Sequence, residues 1–409
     1  MLGLQQTFQT QPRWGCCKPG NKRDRDRPVP TSLGPATDLK LMNLTAIIPR
    51  LPPVVDGIGD YALSLARLLR DNVGITTRFI VTDPAWTGPD FVEDFEVRQL
   101  TSHSSDELLN LLAAASDMFE QTLLHYEGYG YAQRGCPVWL VTALERWRRE
   151  KNERRLITMF HELYATGPPW TSSFWLSPLQ KNLATRLARL SDQWLTSLER
   201  YARAVQQMRG DASPVNNHLA VFSSIGEPKS TRPLKERARR LVVFGTIGRR
   251  IEVYKKSAAD LNRICAALGI EEIVDIGRPI EEDFSRGLLV RSSVFGLLSA
   301  ADVSELLLDS VAGVIDYPAS LLCKSTIFAA YCSHRMIPIV ANYGDRQSSD
   351  VLAAGAHYWL SSIESEQMSL KTGQLIADRA FDWYRTHNLS VHARTLADFL
   401  MPAKLATHI

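Results

Sequence analysis

The chain has 409 residues, of which 45% are hydrophobic and 22% charged, with a formal net charge of +3. This length exceeds what one ordinary hydrophobic core serves, so two domains are expected. The small net charge argues against a nucleic-acid binder, and the lack of an uninterrupted apolar run of about 18 residues argues against a membrane-spanning helix.

The cysteines are scattered along the chain. No pair has C-x-x-C spacing, and no histidine cluster accompanies any of them, so we expect neither a disulfide framework nor a zinc site. The six positions are Cys16, Cys17, Cys136, Cys265, Cys323 and Cys332. This usage is typical of a cytoplasmic protein, and it leaves the chain with no predicted metal and no predicted cofactor.

Residues 1–41 differ in composition from the rest. They are polar, rich in proline and glycine, and without periodicity, which predicts a disordered tail. Met42 then opens "MNLTAIIPRLPP", which predicts a first strand followed by a loop.

From Met42 onward, short β-rich apolar runs alternate with helical periods. Strands are predicted at 44–48, 77–81, 97–100, 122–125, 155–160, 193–196 and 219–223. Helices are predicted between them at 60–69, 105–115, 138–150, 178–190 and 200–209. This first half spans 42–224, and a charged, proline-containing linker follows at 225–240.

The alternation restarts over 241–378. Strands are predicted at 241–244, 273–276, 313–315, 337–341 and 357–360, and helices at 253–268, 301–308, 325–333 and 349–354. The pattern becomes helical again from about 366 to 400, and helices are expected over 379–409. The sequence therefore predicts an α/β protein with two doubly wound, Rossmann-like parallel-sheet domains facing across a cleft.

Ligands of such sheets bind at the carboxyl ends of the strands, so the loops after strands are the candidate sites. The first is "PPVVDGIGDYA", where Gly57 and Gly59 allow close backbone approach and Asp60 is predicted to cap a helix. This loop would contact an anionic or sugar ligand. A tight turn with an ordinary cap is the alternative.

The loop "TMFHELYATGPPWTSSFWLSP" places His161 and Glu162 at the end of a strand, ahead of aromatic and hydroxyl side chains that include Trp170. The pair could orient a proton or hydrogen-bond a sugar hydroxyl, and the aromatic faces suit sugar rings. The loop "LLHYEGYGYAQRGCP" adds Tyr126 and Tyr129 as an acceptor-side wall. Simple packing of these aromatics over the sheet is the alternative for both loops.

Two loops of the second half suggest a phosphate site. In "VFGTIGRRIEVYKK", Gly245 frees the backbone, and basic side chains crowd the start of a helix, where an anion would offset their repulsion with the helix dipole. The basic residues are Arg249, Arg250 and Lys255. In "CKSTIFAAY", Ser325 is placed to cap a helix and Lys324 to reach a phosphate. Solvated charge and an ordinary cap are the alternatives.

The two-half layout, with "PRLPPVVDGIGDYA", "MFHELYATGPPW", "VFGTIGRR" and "KSTIFAAY…IPIV", resembles glycosyltransferases of the GT-B fold, close to family 4 (glycosyl transferases group 1). The resemblance spans about Met42 to the C-terminus. It implies metal-independent transfer of a sugar from a nucleotide-sugar donor, with retention of configuration. It also implies an acceptor-side domain at 42–224, a donor-binding domain at 241–378 and a last helix that crosses back to the first domain.

By the same resemblance, Arg250 and Lys255 would bind the diphosphate, His161 would lie over the donor sugar, and the glycines at 57 and 59 would line the cleft. The sequence departs from the family pattern at one place. Cys323 and Tyr331 stand where the family commonly carries two glutamates eight positions apart, which removes the usual ribose contact. Lys324 could add charge at the diphosphate in exchange.

The leading hypothesis is therefore a glycosyltransferase that uses a nucleotide-sugar donor and an unidentified saccharide, lipid or small-molecule acceptor, with no nucleic acid as partner. The rival is a binding or regulatory protein on the same scaffold without catalysis. A third hypothesis is a peripheral membrane contact through "LERWRREKNERR", which carries six basic residues; a solvated helix end is the favoured explanation of this segment.

Overall fold

A computed structural model describes residues 42–114, 121–211, 217–282, 284, 287–341, 351–362 and 368–400. The predicted tail at 1–41 lies outside the described residues. Within these ranges the chain forms two β-sheets with helices packed on their faces, which confirms the predicted α/β class. No helix in the described ranges combines the length and apolar character needed to cross a membrane.

The first sheet has seven strands in the order β3-β4-β2-β1-β5-β6-β7, and every pair is parallel except β3 with β4. The strands are Asn43–Ile48 (β1), Thr76–Val81 (β2), Phe91–Val92 (β3), Phe95–Gln99 (β4), Gln121–Tyr126 (β5), Arg155–Phe160 (β6) and Gln193–Thr196 (β7). β1 reverses the strand order, with β2 on one side and β5 on the other. Ligand clefts of doubly wound sheets open at such a reversal.

Six helices accompany this sheet: Gly57–Val73 (α1), Ser105–Ala114 (α2), Gly128–Tyr131 (α3), Val138–Glu150 (α4), Ser172–Leu190 (α5) and Glu199–Arg209 (α6). The prediction for α4 is confirmed at both ends. Helix α5 begins six residues earlier than predicted, because the helix continues through Pro178 instead of starting there.

The second sheet has six parallel strands in the order β10-β9-β8-β11-β12-β13. They are Ala238–Phe244 (β8), Glu272–Ile276 (β9), Arg291–Gly296 (β10), Ser310–Ile315 (β11), Ile337–Val340 (β12) and Trp359–Leu360 (β13). The helices are Ile247–Leu268 (α7), Ala300–Leu308 (α8), Thr326–Ser333 (α9), Leu370–Arg385 (α10) and Leu389–Leu400 (α11), with short 3-10 helices at Leu234–Glu236 and Ala319–Lys324. β11 is buried along its whole length, as expected of a central parallel strand.

Two predicted elements are wrong. The segment 219–223 is not a strand. One bridge joins Thr196 to His218, and the Val221 amide then donates to the Cys323 carbonyl of the second half at 2.9 Å. The predicted helix at 349–354 begins outside the described residues, and 351–354 is not helical.

The last helix returns to the first half of the chain. Helix α11 packs along α1, where the Tyr61 hydroxyl lies 2.7 Å from Nδ1 of His392. The Gln121 side chain donates to the carbonyl of Leu400 at 2.9 Å. These contacts fix the end of the described chain to the first sheet.

The start of α1 differs from the sequence interpretation. Asp56, not Asp60, is the cap, and its carboxylate accepts from the amides of Ile58 and Gly59 at 3.0 and 2.9 Å. The glycines therefore belong to the first helical turn and not to an open loop. A Cβ on Gly59 would lie 2.4 Å from the Arg50 carbonyl oxygen, whereas nothing lies within 4 Å of one on Gly57. Internal packing therefore explains why position 59 is a glycine, and it does not explain Gly57.

This contrast gives a paired test. Gly59→Ala should lower the free energy of unfolding by about 1–3 kcal/mol, because the backbone carbonyl must move to admit the methyl group. Gly57→Ala should leave it unchanged or raise it by up to about 1 kcal/mol through helix propensity. Urea unfolding of both variants measures the difference. Equal stability of the two would contradict the packing explanation.

Candidate functional site

The carboxyl ends of the two sheets meet through one ion pair. Lys324, at the end of the second 3-10 helix, contacts the carboxylate of Glu162, two residues beyond β6. The Tyr201 hydroxyl donates to the other oxygen of the same carboxylate at 2.7 Å, and the Lys324 ammonium lies 5.1 Å from the centre of the Tyr201 ring. The Lys324 side chain is 10% exposed and that of Glu162 is 42% exposed.

A second carboxylate faces this pair. Glu127 follows β5 directly, and burial raises the pKa of its carboxyl group. The negative charges of Glu162 and Asp56 raise this pKa further, whereas Lys324 and Arg50 oppose the change. The sequence interpretation missed Glu127. The rule that selected Glu162, a polar residue directly after a strand, would have found it.

The second half contributes Arg249 from the first turn of α7. Its guanidinium carbon lies 5.0 Å from the Tyr317 ring centre, its Nη1 lies 3.8 Å from the Asp316 carboxylate, and it donates to the Asp316 carbonyl at 3.3 Å. Burial raises the pKa of Tyr317, Arg249 lowers it, and Glu162 and Glu127 raise it. Tyr317 therefore lies within electrostatic reach of charges from both halves.

Arg250 lies at the carboxyl edge of the second sheet but is buried there. Its side chain is 1% exposed and forms an ion pair with Asp275, and it also donates to the carbonyls of Gly245 and Arg278. Breaking a buried pair of this kind costs about 3–5 kcal/mol, so the guanidinium is held in place. Its predicted role at a diphosphate does not fit this geometry.

Lys255 also points away from the start of its helix. Its ammonium pairs with Glu282 at 3.2 Å and lies 5.8 Å from the ring centre of Phe284. Ser325, in contrast, lies next to the ion pair and caps α9 by accepting from the Phe328 amide at 3.1 Å. Of the five predicted diphosphate residues, Arg249, Lys324 and Ser325 thus remain candidates for ligand contact at the meeting edges.

Gly245 has a local reason to be glycine. Its φ is +136°, and a Cβ there would lie 2.7 Å from the side chain of Ile327 in the first turn of α9. The residue thus brings the start of α9 close to the end of β8.

His161 is a neutral group in this site. Its Nε2 lies 3.1 Å from Nδ1 of His125, and its ring stands edge-on to Tyr61 at 5.2 Å. Burial lowers the pKa of His161 well below its usual range, and His125 and Lys324 lower it further. The imidazole can therefore exchange hydrogen bonds near neutral pH but adds no positive charge.

The predicted acceptor-side aromatics separate into two groups. Tyr126 is completely buried in the core, which contradicts a place on a ligand-facing wall. Tyr129 is 48% exposed and Trp170 is 84% exposed, and both remain available at the surface.

The two positions that depart from the family pattern are internal. Tyr331 is completely buried, with its hydroxyl 3.3 Å from the Val314 carbonyl and its ring over Gly313. Cys323 is also buried and contributes its carbonyl to Val221. Neither side chain replaces the carboxylate that the family carries there.

A cavity of about 280 Å³ opens beside the ion pair. Its lining comes from the turn after β7, the 3-10 helix before α9 and the end of α10, and it includes Arg200, His218, Cys323, Trp383 and His387. Among the residues that the structure describes, no group of three or more His, Cys, Asp or Glu side chains is arranged to hold a metal ion.

The chain matches no protein-family model and no curated protein sequence. Three solved structures resemble it over most of its length. An alpha-glucosyltransferase in complex with UDP-glucose and DNA containing an abasic site has a TM-score of 0.55 at 8% identity, covering 88% of this chain and 99% of that one. WaaG, a glycosyltransferase involved in lipopolysaccharide biosynthesis, has a TM-score of 0.53 at 10% identity, and the match covers 88% of this chain and 100% of that one. A putative UDP-N-acetylglucosamine 2-epimerase from Listeria monocytogenes has a TM-score of 0.55 at 11% identity, and the match covers 87% of this chain and 95% of that one.

These structures share the two-sheet arrangement with this chain, so the protein has the GT-B fold. At identities of 8–11% the likeness establishes architecture and not the reaction.

The start of α1 gives a pH-dependent prediction. Burial, with the charge of Asp56, raises the pKa of Asp60 from 3.8 to about 6. When the pKa of a carboxyl group is higher in the folded state, the free energy of unfolding of the protein falls as the pH rises from the unfolded-state pKa through the folded-state pKa. Asp60→Asn should therefore raise the free energy of unfolding by about 1–2 kcal/mol at pH 8, allowing for partial exposure, and the gain should vanish below pH 3.8.

Chemical unfolding between pH 3.5 and 8 measures this gain. Asp71→Asn, at the exposed end of the same helix, is the control and should show no gain that grows over this interval. A pH-independent effect of Asp60→Asn would contradict the assigned cause.

Proposed function

We propose that this protein is a glycosyltransferase that moves a sugar from a nucleotide-sugar donor to an acceptor hydroxyl without a metal ion. The observation that carries the proposal is the contact of Lys324 with Glu162. It brings a cation from the second sheet and a carboxylate from the first to the edges where GT-B ligands are expected.

The donor would bind through its diphosphate. Lys324 and Arg249 supply positive charge, and the N-terminus of α9 adds backbone amides and the positive end of its dipole. The α-glucosyltransferase of similar fold was solved with UDP-glucose, which supports a donor of this class.

The ion pair would be exchanged when the donor binds. Because the Glu162 side chain is 42% exposed, solvent weakens its bond to Lys324, whereas a diphosphate would offer the lysine more negative charge and more acceptor oxygens. The diphosphate would take Lys324 and leave Glu162 bonded to Tyr201 alone. The carboxylate would then be free to accept a hydrogen bond from the acceptor hydroxyl.

In the transfer, the bond between the anomeric carbon and the diphosphate oxygen breaks, and its electron pair leaves with the nucleoside diphosphate. The acceptor oxygen forms the new bond to the anomeric carbon and gives up its proton. Lys324 and Arg249 would stabilise the charge that builds on the leaving group. We place Glu162 and Glu127 as the carboxylates within reach of the proton, and His161 as a neutral hydrogen-bonding group. Retention of configuration is what the family resemblance supports.

A nucleotide panel tests this function. Thermal shift with UDP, GDP and ADP and their common sugar conjugates, with and without EDTA, should give a rise in Tm for one base that EDTA does not remove. Arg249→Gln should need about tenfold more ligand to give the same rise in Tm, because it removes one charge at the phosphate. Arg263→Gln, further along α7 and paired with Asp260, is the matched control. No shift with any nucleotide at millimolar concentration would contradict the proposal.

A catalytically inactive binding protein is the second candidate. The observation in its favour is that Cys323 and Tyr331 are buried and leave no carboxylate at the family's two positions. Release of nucleoside diphosphate from the bound donor, followed over hours, separates the two functions. A transferase should turn over, at least slowly by hydrolysis, and lose this in Lys324→Gln. A binding protein should show the nucleotide shift without turnover.

A further inference from the structure

The first turns of α5 expose large apolar side chains where a surface helix is normally polar. Phe174, Trp175 and Leu179 are 42%, 72% and 42% exposed on its first turns. On the inner side, Gln180 is 1% exposed and is held by bonds to the Ala165 amide and the Arg134 carbonyl at 2.7 and 2.8 Å. The helix thus begins with a polar side chain inside and its large apolar side chains outside.

Neighbouring aromatic side chains extend this face. Trp170 precedes the helix and is 84% exposed, and Tyr129, 48% exposed, is joined to α5 by a 3.3 Å bond from Gln180 to its hydroxyl. We call the five exposed side chains the aromatic patch: Tyr129, Trp170, Phe174, Trp175 and Leu179. The loops that carry it begin at Glu127 and Glu162, so the patch lies on the two loops that form the candidate site.

The sequence segments that carry the patch contain no acidic residue after Glu127 and Glu162, which stand at their starts. Segments 128–142 and 163–189 contain no aspartate or glutamate, although the whole chain has 44. Arg134 and Lys181 are exposed beside the patch, and the described part of the chain offers neither of them an acidic partner. A surface of this kind is complementary to an anionic one.

The size and composition of the patch favour one occupant. Its exposed side chains amount to roughly 600 Å², which is less than the about 800 Å² that each partner of a stable protein complex buries. Tryptophan and tyrosine beside hydroxyl groups, with basic residues at the margin, are typical of surfaces that lie at the headgroup level of a bilayer. Thr171, Ser172 and Ser173 provide those hydroxyl groups.

We propose that the aromatic patch docks the protein on an anionic lipid bilayer, with the cleft beside the headgroups. The basic end of α4, which the sequence suggested for this contact, has three of its six basic side chains engaged within the chain. Arg146 and Arg148 are paired with Asp106 and Asp192, and Arg154 is buried against Glu150. The docking surface lies instead at the opposite end of the first domain's strands. This inference does not depend on the proposed reaction.

Vesicle flotation of the full chain tests the proposal, with phosphatidylcholine vesicles alone and with about 30% phosphatidylglycerol. The chain should float with the anionic vesicles, and Trp170→Ser/Trp175→Ser should reduce the bound fraction about fivefold or more. Phe91→Ser, which removes an aromatic side chain 62% exposed in β3, is the control and should bind as the unaltered chain does. Unchanged Tm values verify folding, since all three side chains are exposed.

Three outcomes would overturn the proposal. The first is no flotation of the unaltered chain, and the second is equal flotation of the double variant. The third is a concentration-dependent dimer, seen by sedimentation and lost in the double variant, which would make a second copy the occupant of the patch. A rise in Tm with a nucleotide, together with no flotation, would reject the docking surface and leave the proposed function intact.

Discussion

The contact between Lys324 and Glu162 joins the two halves of the protein at the point where the candidate chemistry is located. Apart from β3, the strands of each sheet are parallel, so their carboxyl edge carries the loops that follow them, and the two edges approach here. The first edge brings the carboxylates of Glu162 and Glu127, and the second brings Lys324, Arg249 and the start of α9. The opposite charges meet at these edges, and they are also the groups that a diphosphate and an acceptor hydroxyl would require.

Arg250 and Lys324 are both little exposed, but they differ in how easily a ligand could take over their charge, because their surroundings differ. Arg250 has two carbonyls and Asp275 around its guanidinium, so its charge stabilises the end of β9 and the start of α7. Among the described residues, Lys324 has one carboxylate partner, the partly exposed Glu162, and lies against a tyrosine ring. Only the second arrangement can be exchanged at low cost. Electrostatics therefore separates a structural cation from a ligand-binding one in loops that look equally basic in sequence.

The sequence predicted the parts of the fold that depend on local pattern. β6 and α4 follow from an apolar run and a helical period, and both have the predicted bounds. β10 was missed because it begins Arg-Ser-Ser and lies at the sheet edge, where only one neighbour imposes burial. The segment 219–223 looked like a strand, but its amide at Val221 bonds to the other half of the chain, which no local pattern reveals.

The candidate site was predictable in position and less so in detail. The rule that ligands bind after strands located His161, Glu162 and Arg249, and it would have located Glu127. The burial of Arg250 depends on Asp275, 25 residues away on the next strand, and that of Tyr126 depends on packing across the sheet. The lack of side-chain room at Gly59 depends on a carbonyl from the preceding loop. Such contacts come from tertiary structure, so residue type and spacing alone could not supply them.

Calorimetric titration of the nucleoside diphosphate that gives the largest thermal shift tests the exchange at Lys324 most directly. The unaltered chain would be compared with Glu162→Gln, Lys324→Gln and the double variant. If Glu162 competes for the lysine, Glu162→Gln should bind about fivefold more tightly, Lys324→Gln about tenfold or more weakly, and the double variant like Lys324→Gln. Weaker binding by Glu162→Gln, or an unchanged affinity in Lys324→Gln, would contradict the account.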